Sequence, residues 1–323
     1  MLDLEAATAW IDERLASAGV DRTGPLESVR VRPWGEVARA DSDRGPIWLK
    51  APGGATGFEV PLYELLARWV PERILVPLAI DRGRGWVLLP DGGPSLGERA
   101  QGEELAAALP VALRHYGELQ RALAGDADEL LAIGVTDMRP QAMPGRFDEA
   151  LAAGRRYADG SADERDRAVP ARFEAARERF EAQCSDLASR PGGASLDHND
   201  LHPWNILGDP GAGGSTRFYD WGDSVVAHPF AAMLVPLGFA ARVSPRAVET
   251  ARDAYLDAFG DLGSHAELVE TLELACRVAK VARALTWERA LLAGDEAEAD
   301  PDFARAPLAT LESYLGESYL GGA

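Results

Sequence analysis

The sequence has 323 residues, two cysteines and a net charge of −19, with 46% hydrophobic and 26% charged side chains. That length suggests about two domains and a core that needs neither disulfides nor structural metal. Cys184 and Cys276 alone exclude a disulfide framework and a cysteine-rich zinc site, and the acidic balance argues against a nucleic-acid partner.

The charge is uneven. Residues 1–90 carry 11 basic and 13 acidic groups, so nearly all the excess acid belongs to residues 91–323. Only two of the 33 basic residues are lysine, Lys50 and Lys280, so each asks for a reason. The start of the chain has no basic region and no apolar segment of the signal-peptide kind, and no run of 18 apolar residues occurs. A cytoplasmic protein without membrane contact is expected.

Leu4, Ala7, Ile11 and Leu15 recur at helical spacing and predict a helix over 3–17. A short antiparallel meander follows, with strands over 29–31, 37–40 and 47–49 and a turn cluster over 41–46. Helical periodicity returns over 58–70, and two further strands are expected at 75–80 and 85–89. Pro90-Asp91-Gly92-Gly93-Pro94 is strong punctuation and divides the chain into residues 1–90 and 91–323. Beyond it, helices are predicted over 103–124 (kinked at Pro110), 171–188, 246–259, 266–293 and 307–319. The fold class is therefore α+β: a small antiparallel β-rich lobe followed by a larger, mainly helical one.

One non-helical island, 194–223, interrupts the helices. It contains His198-Asn199-Asp200-Leu201-His202-Pro203-Trp204-Asn205, a Gly/Pro turn over 208–214, and Asp220-Trp221-Gly222-Asp223. Two apolar runs around that turn predict a β-hairpin, which brings Asn205 beside Asp220, with Asp200 one loop upstream. Amide and carboxylate oxygens of this kind suit Mg²⁺, and a carboxylate off the metal can take a hydroxyl proton. The spacing from His198 to Asn205 is that of a kinase catalytic loop, and Asp220-Trp221-Gly222 stands where its metal-binding Asp-Phe-Gly is expected.

On these two elements the chain resembles the aminoglycoside phosphotransferases and their relatives, small-molecule kinases of protein-kinase-like two-lobe fold, over about residues 29–315. The resemblance implies an ATP-dependent transfer of the γ-phosphate to a small-molecule hydroxyl. Asp200 is then the catalytic base, Asn205 and Asp220 the Mg²⁺ ligands, and His198 a brace of the catalytic loop. GTP is the alternative donor. Asn199 replaces the protein-kinase arginine that answers a phosphorylated activation loop. Only five residues separate Gly222 from His228, so no such loop fits and a protein substrate is not expected. Pro229-Phe230-Ala231-Ala232-Met233 departs from the family by lacking an acid.

Lys50 ends a predicted strand where a kinase lysine reaches the α- and β-phosphates and pairs with a helix glutamate. Glu59 shares the face of Leu62, Leu65, Leu66 and Trp69 and is preferred over Glu64 as that partner. The turn over the phosphates offers a single glycine, Gly35. Leu89 and Asp91, where the lobes join, are expected to hold the adenine; Pro90 has no N–H, so the donor must come from a neighbour such as Asp91. Asp200, Asp223 and Glu288, with the acidic run 295–300, are acceptor-side candidates and are compatible with a cationic acceptor. Trp204 reads as loop packing and His202 as a structural hydrogen bond.

The rival readings are a kinase of another small hydroxyl metabolite (an amino sugar, sugar or amino alcohol), a nucleotide-binding pseudokinase, and a metal hydrolase using His198, His202 and Asp220. The acceptor's identity, the oligomeric state and the role of Lys280 are not legible at this level.

Overall fold

The computed structural model describes residues 2–210, 214, 216–292 and 301–320. The tip of the predicted hairpin turn and the acidic run 295–300 lie outside the described residues.

Helix α1 (Leu4–Ser17) begins where the Asp3 carboxylate accepts the amides of Glu5 and Ala6. Strands β1 (Glu27–Arg32), β2 (Gly35–Ser42), β3 (Gly45–Pro52), β4 (Ala79–Asp81) and β5 (Trp86–Pro90) form one antiparallel sheet in the order β1-β2-β3-β5-β4. Of the strand expected over 75–80, only its end pairs. Helix α2 (Glu59–Trp69) joins β3 to β4.

Alternation along β3 sorts the two faces of the sheet. Leu49 points outward and packs with Ala38, Leu88 and Trp86 against Ala7, Trp10, Ile11 and Leu15 of α1. Lys50 points inward, in register with Val37 on β2 and Val87 on β5.

The rest is mostly helical: α3 (Leu96–Arg99), α4 (Gly102–Ala122), α5 (Ala127–Ala132), α6 (Met143–Asp159), α7 (Glu164–Glu174) and α8 (Arg177–Ser189), with strand β6 (Thr136–Asp137) before α6. Helix α4 runs through Pro110, burying the stripe Leu105, Leu109, Leu113, Tyr116. The helix expected over 171–188 is two, broken at Ala175 and Ala176. Helix α6 was not foreseen, because Pro144, Gly145 and Gly154 weaken its sequence signal, yet Pro at the first turn fits a helix start.

Four short strands then frame the island: β7 (Ser195–Asp197), β8 (Ile206–Leu207), β9 (Arg217–Phe218) and β10 (Val225–Ala227). Helices α9 (Leu234–Ala241), α10 (Pro245–Leu256), α11 (His265–Leu292), α12 (Pro301–Ala304) and α13 (Ala306–Leu315) follow. The protein is thus α+β, an antiparallel N-terminal sheet with a helical C-terminal part. Among the described residues no helix is long and apolar enough to cross a membrane.

Candidate active site

Two pairings hold the site. Residues 198–205 run from β7 to β8, and residues 219–224 run from β9 to β10. Strand β8 pairs with β9 (Ile206 with Phe218), and β7 pairs with β10 (Asp197 with Val225). Each loop is therefore fastened at both ends to the other, and Asn205, whose carbonyl accepts the Tyr219 amide at 3.4 Å, stands across the hairpin from the residue next to Asp220. Both loops contain a non-glycine residue in the left-handed region, Asn199 at φ 58° and Asp220 at φ 65°. Asn and Asp tolerate that region best, and such positions cluster at functional sites.

The Lys50 ammonium lies 2.5 Å from Glu59 Oε1 and 2.5 Å from Asp220 Oδ1, so it joins sheet, helix α2 and hairpin. Glu59 is fully buried and also accepts the Trp221 amide at 3.0 Å. Glu64 lies at the surface, held by Arg82. Burial would lower the Lys50 pKa, but the carboxylates of Asp220 and Glu59 outweigh it and keep the ammonium charged. Burial would raise Asp220, yet Lys50 and Arg30 hold it down to about 2. Burial pushes Glu59 up to about 7 against the pull of Lys50.

Asp200 is gripped from helix α11. Arg283 donates to Asp200 Oδ1 at 2.7 Å and to the Asn199 carbonyl at 2.7 Å. The Asn199 amide group donates to Thr286 Oγ1 at 2.6 Å. The second carboxylate oxygen, Oδ2, lies 3.4 Å from His202 Nε2. His198 is buried beneath the loop. Its ring Nε2 meets the Tyr219 carbonyl at 2.9 Å, and its amide donates to the Tyr116 hydroxyl. Burial lowers its pKa, so the ring is neutral.

The donor set fits a magnesium ion. Asn205 spends its Nδ2 on the Asp200 carbonyl, leaving its side-chain oxygen for a ligand, and Asp220 offers two carboxylate oxygens. Hard oxygen donors from one amide and one carboxylate are what Mg²⁺ takes when phosphate and water complete its shell. His198 and His202 do not converge, because one is sealed against Tyr219 while the other faces Asp200.

Three of the expected side chains already have partners. The Asp91 amide is already used, donating to the Pro46 carbonyl at 3.1 Å as the β3–β5 pairing runs one residue further. Its carboxylate accepts the Trp48 indole N–H at 3.0 Å. Glu288 is buried and paired with the half-exposed Arg156 of α6. Asp223 faces Arg289 Nη2 at 3.4 Å and Arg283 Nη1 at 3.9 Å; burial and the nearby Asp200 raise its pKa. Gly35 sits where a Cβ would stand 3.0 Å from the Ala51 carbonyl, so it lets the β1–β2 turn lie down on β3. That turn is tied further by Gly53 N–H and Thr56 Oγ1 donating to the Trp34 carbonyl. Leu89 is buried and pairs with Trp48 across β3 and β5.

The sequence matches the family described as "Phosphotransferase enzyme family" over residues 55–268. The chain belongs to that family. It is a phosphotransferase acting on hydroxyl groups, related to the aminoglycoside phosphotransferases. Comparison with the curated proteins returned no match. Among solved structures, a macrolide 2′-phosphotransferase from Brachybacterium faecium is 21% identical, with 96% of this chain and 97% of that one covered at a TM-score of 0.57. A choline/ethanolamine kinase family protein from Mesorhizobium loti is 19% identical, with 96% and 95% covered at 0.59. An aminoglycoside phosphotransferase from Streptomyces rimosus, in complex with ADP and streptomycin, is 18% identical, with 88% and 99% covered at 0.51. At these identities the structural likeness establishes the fold.

The phosphotransferase family match contains Glu59, Asp200, Asn205 and Asp220, while Lys50 stands five residues before it. Sequence reasoning missed Arg283, Thr286 and Arg289. They recur every third residue along α11, so they share one side of that helix, and Arg283 and Thr286 are buried. Buried polar side chains in an alanine- and leucine-rich helix were the available signal. Trp48 was missed too. Strand alternation puts it on the Lys50 face, where its indole reaches from the sheet to Asp91.

Proposed function

We propose that this phosphotransferase moves the γ-phosphate of ATP to a hydroxyl of a small molecule, with Asp200 as base. The observation that carries this reading is the Lys50 ammonium, clamped between Glu59 and Asp220 beside a loop that presents Asp200 and Asn205. Residues 1–90 are read as the nucleotide lobe and 91–323 as the catalytic and acceptor lobe. The ADP complex of the Streptomyces relative supports an adenine nucleotide, and ATP use fits a cytoplasmic location.

In this reading Lys50 turns from Asp220 to the α- and β-phosphates while Glu59 keeps its amine in place. Asn205 and Asp220 would hold Mg²⁺, which supplies charge neutralisation at the phosphates. With Oδ1 held by Arg283, Asp200 Oδ2 is the oxygen left to accept the acceptor's hydroxyl proton. The acceptor oxygen forms the new bond to phosphorus, the bond to the β-phosphate oxygen breaks, and ADP leaves. The rate comes chiefly from positioning and charge stabilisation. Trp48 offers an indole face to the base in place of the occupied Asp91 amide.

Two substitutions separate the roles. Asp200→Asn should leave Mg-ATP binding intact while turnover falls by about 10²-fold or more, the scale of losing a general base. Asp220→Ala should weaken Mg-ATP binding itself. Unchanged turnover in the first variant, or an unchanged titration in the second, removes that residue from its role.

A further inference from the structure

A cluster of aromatic groups lies beside the proposed base, and among the described residues the acids near it are paired with arginine. His202 lies against Asp200 Oδ2, so whatever surrounds His202 stands one side chain from the proposed base. Its ring meets Trp204 at 5.9 Å and Phe239 of α9 at 6.4 Å, and those two rings meet at 5.8 Å, all edge to face. Trp204 is 45% exposed, which is unusual for so large an apolar group. It is nevertheless held in place, because its indole lies on Gly97, where a Cβ would stand 2.6 Å from the ring. The result is a rigid aromatic ledge that begins beside the base and opens to solvent.

Charge points the same way. A polycationic acceptor needs unpaired carboxylates. Here Asp200 carries Arg283, Asp223 faces both Arg283 and Arg289, and Glu288 carries Arg156. A cation could use Asp200 or Asp223 only by displacing the largely buried guanidinium groups of Arg283 and Arg289, at a cost in desolvation, and Glu288 only by displacing the half-exposed Arg156. The ledge is not a vacant cage for a quaternary ammonium either, since the Arg242 guanidinium already lies 4.4 Å from the Phe239 ring centre.

We infer that His202, Trp204 and Phe239 form the acceptor subsite, and that the acceptor is a hydroxyl compound presenting an apolar ring face and at most one positive charge. A glycoside or a macrocycle meets that description; a polyamine does not. The faces of such rings stack on aromatic side chains and gain from the area they bury. The inference rests on the kinase reading of Asp200.

The test is an ADP-release assay with Mg-ATP across hydroxylated macrocycles, neutral glycosides and nucleosides, set against choline and kanamycin. The expected result is transfer to a ring-bearing compound at least about tenfold more efficient in kcat/KM than to choline or kanamycin. With that acceptor, Trp204→Ala should raise the acceptor KM about tenfold, the worth of one good aromatic contact, with the KM for Mg-ATP unchanged. Trp204→Phe should recover most of the loss, which a merely structural role for the indole in the loop would not predict. Preference for kanamycin or choline, or an unchanged acceptor KM in Trp204→Ala, overturns the inference. Absence of transfer to every compound, with Mg-ATP still bound, instead overturns the kinase reading beneath it.

Discussion

Arg283 shows how one side chain can decide the geometry of another. Its two bonds fix Asp200 Oδ1 and the carbonyl of the left-handed Asn199, so the free carboxylate oxygen has one direction in which to point. Arg283→Met keeps the buried volume and removes both bonds. Turnover should fall by about 10- to 100-fold through misplacement of the base, while the KM for Mg-ATP stays within about twofold. Steady-state kinetics read both. Asp197, three residues upstream, carries a different kind of cost. Burial pushes its carboxyl up to about 7, opposed by the Asn199 amide and by Arg283. Between about pH 4 and pH 7 the unfolded chain has lost this proton and the folded chain keeps it, so stability declines as pH rises through that window. Asp197→Asn removes the decline. Relative to the native chain, the variant should gain roughly 2 to 4 kcal/mol more at pH 8 than at pH 4, read from urea unfolding at both values. An equal difference at the two values would mean that Asp197 is not held protonated.

At the scale of elements, α11 is the organiser of the site. It meets the catalytic loop through Arg283 and Thr286, and the Asp220–Asp223 segment through Arg289, which donates to the Gly222 carbonyl at 3.1 Å. The loop is thereby locked by a helix of the same chain, in the place where Asn199 stands instead of an arginine awaiting a phosphate. The strand Val225–Ala227 fills the short stretch after Gly222 and pairs with β7, so the chain has no length to spare for an activation segment. The same helix gives Lys280 its reason. Lys280 is 1% exposed, and its ammonium donates to the carbonyls of Ser313 and Ser318, closing the C-terminal end of α13 and tying down the tail beyond it. Lys280→Met should loosen residues 313–320 and cost about 1.5 to 3 kcal/mol, the usual range for hydrogen bonds to charged groups. Amide exchange should speed up at the chain end and remain slow in α4; unchanged exchange in 313–320 would contradict this role.

At the scale of the molecule, the sheet and the helices are not independent. One core cluster runs from Leu62 and Leu66 of α2 and Val87 of β5 to Leu311 of α13, while the second is confined to α1 and the outer face of the sheet. A continuous core of this kind should unfold as one unit, and a ligand bound in the cleft should stabilise all of it by mass action. Mg-ATP at about 100 times its Kd should add about 2.7 kcal/mol and raise Tm by roughly 5 °C. Asp220→Ala should abolish most of that rise. A thermal scan in which only part of the transition moves would show that the two parts melt separately. The acidic character also acquires a use at this scale. Arginine pairs such as Arg114–Asp257, Arg121–Asp261 and Arg177–Asp148 cover the helical surface, and the same habit neutralises the acids beside the site. Such surface pairs contribute little stability each. What they change is the charge that an approaching acceptor meets.

The sequence by itself determined the parts whose information is local. The His198–Asn205 spacing, the turn after Leu207 and the Asp220-Trp221-Gly222 element lie within one hairpin, so chain geometry alone brings them together. Helical periodicity likewise separated Glu59 from Glu64, because burial follows the face of the helix. Only the tertiary structure decided which acids stay free and which polar side chains reach the site from afar. Arg283 is 83 residues from Asp200, and Arg156 is 132 residues from Glu288. No periodicity within α11 or α6 encodes the partner that each will meet. Those pairings exist because folding packs the helices against the hairpin and leaves each buried charge to find its opposite, which sequence spacing cannot express.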